Sequence, residues 1–584
     1  MKAKNIIKDT VYSVKYIWNV DKKYILLMIA ISILTSLFNV INLSILKYIT
    51  TILAQRKMKY FLVIAGVMFI LSVVIAVING TASYLYEPLL QNHIIEKIQG
   101  DIYKKAKNFT LEKYEDEEFY NLYYFVVENG RNGILNAITL TTGVLTSLLS
   151  VLGITAIIVQ YDVYIIMCVF IGVLLSCLCS IKMKKVQYEY KIAAIPFNRE
   201  IDYIHRIFYL QDYIKEILSF RNNDVFEKKY RSAWMGMNDI TQKWGKKIQI
   251  KYLQIMVVDS ITEIIIMIYL GYGTIYGKIS LGEFIVLYMG IQQMIQQIKA
   301  IIASIPELYS NSLDLEKYFE FMNMEEDKGD IRINKIQNIS FKNVSFCYGK
   351  DKEVLHKINI TVGEKNRKIA LVGKNGSGKS SIIKLIMAFY NNYKGTIYIN
   401  GIDLKKILKK DYTEKISILY QDFQLFSMNV NQNVSMRYDS LDKTIDKFLK
   451  KVDIYKKIKK LPLQNKTVLS KEFDKKGIFL SGGEKQKIGI ARSLFRESDV
   501  LILDEPFSSL DQLSTRKIMN ELENIYSDKI IILITHDLCG LDMMDKVYLL
   551  EDGKIVEEGT EEELILKKGE YYKMWRKDNK NDER

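Results

Sequence analysis

GKNGSGKS, at Gly373–Ser380, fits the phosphate-cradling pattern G-x-x-x-x-G-K-[ST] and decides the fold of the second half of this chain. It sits between a strand-like run, Lys368–Val372, and a helix-like run, Ser380–Met387. Gly373, Gly376 and Gly378 let successive backbone N–H groups turn inward on phosphate oxygens, with Asn375, Ser377 and Ser381 completing the loop and its helix start. Lys379 supplies a point charge and Ser380 a hydroxyl for Mg²⁺. Such a loop implies a nucleoside triphosphate and a parallel α/β sheet to carry it.

Further along, VLILDEP (Val500–Pro506) reads as a buried strand that ends in two carboxylates. Asp504 can reach Mg²⁺, and Glu505, one residue later, is the candidate base for the attacking water. LSGGEKQ, at Leu480–Gln486, lies between the two motifs and opens a helix, so Ser481, Gly482 and Gly483 offer N–H groups to an anion. The three motifs together resemble the ATP-binding cassette (ABC) family. That resemblance implies an ATP hydrolase coupled to transport. It also implies that Leu480, Ser481, Gly482, Gly483 and Glu484 complete the ATP site of a second copy and that Asp511, in SSLDQ, crosses the same interface. Tyr348 matches the aromatic that stacks on adenine, and Gln421, in ILYQD, the glutamine that senses Mg²⁺ and water. His536, at the end of IIILITH, matches the histidine that contacts the γ-phosphate and orients the base. Glu484 stands where glutamine is commonest, and KEFDKKG (Lys471–Gly477) is not a close match to the loop that usually precedes the signature.

The first half is of another kind. Hydrophobic residues make up 49% of the 584 residues, and nearly all long apolar runs lie before residue 306. Six runs approach the roughly 20 residues needed to cross hydrocarbon. They are Tyr24–Ile45, Tyr60–Ser83, Leu135–Val159, Val163–Ile181, Tyr252–Tyr272 and Leu281–Ile302. Tyr16 and Trp18 precede the first in a Lys-punctuated stretch suited to a membrane surface. The lysines among the first 23 residues argue for a cytoplasmic N-terminus. The first run begins near Tyr24, which leaves no room before it for a peptidase domain. The connections Leu46–Lys59, Gln160–Asp162 and Gly273–Ser280 are short. Tyr84–Ile134 and Lys182–Lys251 run to about 50 and 70 residues of charged, helix-forming sequence. This alternation resembles the exporter branch, whose extensions end in coupling helices. LEKYEDEEFYN (Leu111–Asn121) and, more weakly, ILSFRNNDVFEKKY (Ile217–Tyr230) match those positions.

The expected architecture is therefore an α-helical six-span transmembrane domain with long cytosolic helical extensions (1–322), a linker (323–336) and an α/β P-loop nucleotide-binding domain (337–584). The expected setting is a bacterial plasma membrane, multi-pass and in contact with lipid, with the ATPase in the cytoplasm. The net charge of +15 follows from lysines beside apolar spans and gives no reason to expect nucleic acid. The five cysteines have neither metal spacing nor a disulfide framework. One chain has one cradle and one signature, so ATP and Mg²⁺ require two chains. With no catalytic position degraded, a homodimer is expected rather than a pair with a second half-transporter.

Two features concern cargo. Asp259 and Glu263 lie one turn apart in the fifth run, where ionisable groups are costly unless wet or paired. They form an acidic patch for a cationic cargo, or they pair with Lys299, or they lie nearer the cytoplasm than the run's bounds suggest. Gln292, Gln293, Gln296 and Gln297 make a polar face on the sixth run, lining a path or bonding helix to helix. The carboxyl half resembles exporters of ribosomally made peptides such as lantibiotics and bacteriocins. Multidrug export, lipid flipping and a non-transporting sensor are the alternatives.

Overall fold

The computed structural model describes residues 3–582 apart from 162, 221–222, 327–328, 350–352, 439–441, 473, 526–527, 537 and 539. Asp162 of the second short connection, Arg221 and Asn222 of the second coupling match, Phe473 of KEFDKKG, Asp537 and Cys539 thus lie outside the described residues.

The chain divides into two units: residues 1–107 with 121–324, and residues 108–120 with 325–584. The first unit is helical. Its elements are α1 (Ala3–Ala54), α2 (Met58–Thr81), α3 (Glu87–Ala106), α5 (Glu117–Ile158), α6 (Val163–Tyr209), α7 (Gln211–Phe220), α8 (Asn223–Ile275) and α9 (Leu281–Asn323), while the short α4 (Leu111–Glu115), between α3 and α5 in sequence, belongs to the second unit. Four of the described helices are long and apolar enough to cross a membrane: Ile7–Leu53, Met58–Ala106, Glu117–Ile158 and Asp224–Ile275. The fourth and sixth expected spans lie in α6 and α9, helices of 47 and 43 residues.

Local chemistry explains the boundaries. Asp21 breaks α1 with extended φ and ψ of −151° and 95°, and its carboxylate accepts the Lys23 N–H at 3.0 Å. The Lys-punctuated stretch containing Tyr16 and Trp18 is thus a separate helix before the first span. The first short connection is shorter than expected, because LKYITTILA contains no glycine or proline and α1 continues to Ala54. The long internal connections are helices, as their charged sequence implies. Ser280 and Glu283 form a capping box that starts α9. α6 packs closely on α8, where a Cβ on Gly172 would meet Thr262 at 2.3 Å. A buried cluster that includes Leu43, Ile154, Val173, Ile266 and Ile291 joins these spans.

The second unit is built on a six-stranded sheet ordered β10-β9-β3-β8-β7-β6. These strands are β3 (Lys368–Val372), β6 (Ile416–Leu419), β7 (Val500–Asp504), β8 (Ile530–Thr535), β9 (Lys546–Glu551) and β10 (Lys554–Gly559). β6, β7, β8, β3 and β9 run parallel, and β10 returns antiparallel. β7 and β8 are buried along their whole length, which is why their sequences read as continuous apolar runs. A four-stranded antiparallel sheet packs beside it: β1 (Ile339–Cys347), β2 (Glu353–Val362), β4 (Lys394–Ile399) and β5 (Ile402–Asp403).

Candidate active site

In a parallel sheet the loops leaving the carboxyl ends of the strands share one edge, and the register puts the motifs there. Val372 pairs with Thr535, Asp504 with Ile534 and Leu419 with Leu503. The residues that follow these strand ends are the P-loop, Glu505, His536 and Gln421. The sheet therefore assembles them from four segments that are separate in sequence, with Gln421 and His536 lying 84 and 31 residues from Glu505.

The P-loop takes the shape its glycines allow. Gly373, Gly376 and Gly378 have φ of 155°, 81° and 104°, and a Cβ on Gly373 would lie 2.3 Å from the Leu550 carbonyl oxygen. The helix Lys379–Ile386 begins at its end, with Gly378 as N-cap. Lys379 Nζ folds back to donate to the carbonyls of Gly373 at 2.6 Å and Lys374 at 2.9 Å. Burial lowers its pKa, against the opposing pull of Glu505 and Asp504. Ser377 Oγ is buried without a hydrogen-bond partner. An unpartnered hydroxyl in a glycine cradle fits an anion such as phosphate.

The loop opens on a cleft of about 380 Å³ lined by Tyr348, Val354, Asn375, Gly376, Gly378, Lys379, Ser380, Ser381, Gln421, Asp504 and Glu505. Asp504 is buried, and desolvation together with the Glu505 charge pushes its pKa up to about 6, against the pull of Lys379. Ser380, Gln421 and Asp504 supply oxygen atoms of the kind Mg²⁺ takes, and such an ion would neutralise charge on bound phosphates. Among the described residues no group of three or more His, Cys, Asp or Glu could hold a metal.

Glu505 is the most constrained carboxylate in the cleft. Its side chain is 9% exposed, and its φ of 47° places a non-glycine residue in the left-handed region. Gln421 Nε2 donates to Oε2 at 2.8 Å, and His536 Nδ1 lies 3.0 Å from Oε1. The backbone is fixed as well: Glu505 N–H donates to the Ile534 carbonyl at 2.9 Å, and Gln486 Nε2 donates to the Glu505 carbonyl at 3.0 Å. A carboxylate oriented by two side chains and beside the phosphate cradle is placed to polarise a water. Tyr348 shares a hydrogen bond with Ser381 at 2.9 Å and meets Phe346 edge-on at 4.8 Å. Its ring is therefore fixed at the mouth of the cleft.

The signature residues do not line this cleft. Leu480 is buried, while Ser481 and Gly482 are exposed at the start of the helix Gly482–Phe495. Asp511 caps the helix Gln512–Ile525 by accepting the Ser514 N–H at 3.1 Å, and hydrogen bonding from the Ser514 side chain and then its backbone holds the carboxyl below the usual range. Both surfaces belong to the same unit as the cradle but are separate from its cleft.

Residues 355–508 match the sequence model of the ABC transporter family. This unit carries an ABC transporter domain. The chain is 26% identical to the subtilin transport ATP-binding protein SpaT of Bacillus subtilis, over 98% of this chain and 95% of that protein. It is 30% identical to the ATP-dependent lipid A-core flippase of Haemophilus influenzae over 62% of each. A bacterial Atm1-family ABC exporter solved with ATP bound superposes with a TM-score of 0.80 at 19% identity, covering 95% of this chain and 98% of that one. The fold is that of an ABC exporter, helical first and α/β second. The ABC domain is an ATPase of the transport-coupled kind.

Three groups in the ABC domain's unit had no sequence assignment. Gln486, the last residue of LSGGEKQ, holds the Glu505 backbone through its carbonyl. Glu112 and Glu115 lie in the first coupling match. Asn391 N–H donates to Glu112 Oε2 at 3.1 Å, and Tyr390 Oη donates to Glu115 Oε2 at 2.5 Å. Tyr390 is 2% exposed and meets Tyr348 edge-on at 5.4 Å. Burial and the Glu115 carboxylate raise its pKa, so it remains a donor. No sequence spacing links positions 275 residues apart. Tyr390→Phe should leave Glu115 short of one donor and cost about 1–3 kcal/mol. The expected readout is a thermal unfolding midpoint a few degrees lower, and an unchanged midpoint would show that the bond carries no stability.

Proposed function

We infer that this chain is an ATP-driven exporter of peptides that works as a homodimer in a bacterial cell membrane, by alternating access, with Mg²⁺ bound beside Ser380, Gln421 and Asp504. The observation that carries the ATPase reading is Glu505, held between Gln421 and His536 at the mouth of the cradle. Peptide as cargo is supported by similarity to the subtilin transport protein along 98% of the chain, where the flippase similarity covers 62%. A homodimer is supported by the separation of the signature from the cleft within one chain. The proposed division of the sequence remains 1–322, 323–336 and 337–584.

The membrane half refines the cargo argument. Lys299 Nζ donates to Asp259 Oδ2 at 2.6 Å, and Tyr288 Oη donates to Glu263 Oε1 at 2.5 Å. Both carboxylates are thus engaged by α9, and Asp259 with Lys299 is neutral as a pair. This pairing lowers the cost of placing them in a span and favours a structural role over a free acidic patch for cationic cargo. Gln292, Gln293 and Gln297 are half-buried and Gln296 is exposed, on the same helix. They are the proposed polar lining of the path.

The test is ATP hydrolysis by the purified protein in liposomes. The expected result is stimulation by apolar peptides and none by lipid A or drug-like cations, with ATP-dependent peptide uptake into inverted vesicles. Stimulation by lipid alone would move the assignment to a flippase. Stimulation without uptake would move it to a sensor.

A further inference from the structure

The signature helix carries a charge that its geometry makes awkward. Ser481 is the N-cap of the helix Gly482–Phe495, and Glu484 is its third residue. Glu484 Oε2 accepts the Ser481 N–H at 3.0 Å, and the Ser481 side chain takes the N–H of Glu484, forming a capping box. A carboxylate here suits the helix, whose first turn is electropositive. The same electropositive turn is what would receive a phosphate. A fixed negative charge one turn inside therefore opposes an arriving γ-phosphate, whereas glutamine would make the same capping contact without charge.

The structure provides the counter-charge. Lys457 Nζ forms an ion pair with Glu484 Oε1, so the two carboxylate oxygens are divided between Lys457 and the N-cap. Burial raises the Glu484 pKa, but the bonds from Lys457 and Ser481 outweigh it and leave the carboxyl ionised below its usual range. Lys457 lies on the short helix Tyr455–Lys459, which is anchored by the buried Ile458. Its neighbours are engaged elsewhere: Lys459 pairs with Asp446 at 3.1 Å, and Lys450 lies over the Tyr455 ring at 4.8 Å. Lys487, on the signature helix, donates at 3.4 Å to the carbonyl of Asp453, in the turn that precedes the Tyr455–Lys459 helix.

We propose that Lys457 is a positioning residue for ATP hydrolysis: its ammonium holds the Glu484 carboxylate in the capping geometry and cancels its charge where the γ-phosphate carried by a second copy is received. This rests on the reading that the signature completes the partner's site. Lys457 touches no reacting atom and acts through Glu484.

The experiment measures ATP hydrolysis against ATP concentration for full-length protein in liposomes. Lys457→Ala should raise KM for ATP about fivefold with kcat changed less than about twofold, because unneutralised charge weakens assembly of the site more than chemistry within it. Lys457→Ala with Glu484→Gln should bring KM back to within about twofold of Glu484→Gln alone. Affinity for a fluorescent ADP analogue should not change in Lys457→Ala, since ADP lacks the γ-phosphate. A double variant as impaired as Lys457→Ala, or an unshifted KM in Lys457→Ala, overturns the proposal. So does an equal shift from Glu484→Gln and Lys457→Ala, which a purely structural pair would give. Ser481→Arg in the same preparations separates the premise from the inference. Continued hydrolysis there overturns the partner-site reading itself; loss there with an unshifted Lys457→Ala overturns the role of Lys457 alone.

Discussion

Glu505→Gln should lower kcat by about 10³-fold, within the range that removing a general base produces, while leaving ATP binding intact. The substitution keeps the shape of the side chain, so Gln421 and His536, at 2.8 and 3.0 Å from its two oxygens, retain something to hold. What is lost is the charge that polarises water. The cradle residues are untouched, since Lys379 is held by the Gly373 and Lys374 carbonyls rather than by Glu505. ATP should therefore bind and remain uncleaved, and two ABC domains should stay joined. Single-turnover hydrolysis and gel filtration with ATP and Mg²⁺ read both consequences. Sustained turnover by the pure variant would assign the base elsewhere, because Glu505 would then be only a scaffold for His536. Removing its negative charge from beside the buried Asp504 should also let that carboxyl fall from about 6.

The sequence disclosed most of this cleft because each candidate group ends a strand. An apolar run followed by a glycine loop, an Asp-Glu pair, a histidine or a glutamine is a local pattern, and parallel pairing brings all such ends to one edge. Lys379, Ser380, Gln421, Asp504 and Glu505 meet in the cleft for that reason, and Tyr348 joins them from the end of β1 in the antiparallel sheet. The long helices of the first unit were legible from apolar run length, and their extensions from charged sequence with little proline. What stayed hidden depends on which faces of separate elements touch. Tyr390 with Glu115 and Lys457 with Glu484 join positions 275 and 27 residues apart, which no periodicity marks. The bond between Lys299 and Asp259 depends on how α8 packs on α9, which the sequence leaves open. Helix ends were misjudged where nothing in the sequence stops a helix, as at Ala54. Glu505 shows the opposite limit: its position was evident, but its left-handed φ of 47° was not, because propensity alone argues against it.

Two inactive variants should restore each other when mixed. Lys379→Ala removes the cradle's charge but keeps a sound signature, and Ser481→Arg blocks the signature but keeps a sound cradle. Each homodimer then has two defective sites, one half missing from each. In a mixed dimer the cradle of the Ser481→Arg chain meets the signature of the Lys379→Ala chain, and that site is whole. Random pairing makes half the dimers mixed, and each has one of two sites intact. Hydrolysis should therefore recover to about a quarter of the wild-type rate if each site works alone. The separation of Ser481 and Gly482 from the cleft within one chain is what demands this outcome, since a site complete in a single chain would place them in its lining. Vanadate trapping gives an independent reading, with one nucleotide held per mixed dimer and none in either parent. Full activity in a single isolated chain would remove the need for a partner. Cross-linked mixed dimers that neither hydrolyse nor trap nucleotide would show that the signature of one copy does not serve the cradle of the other.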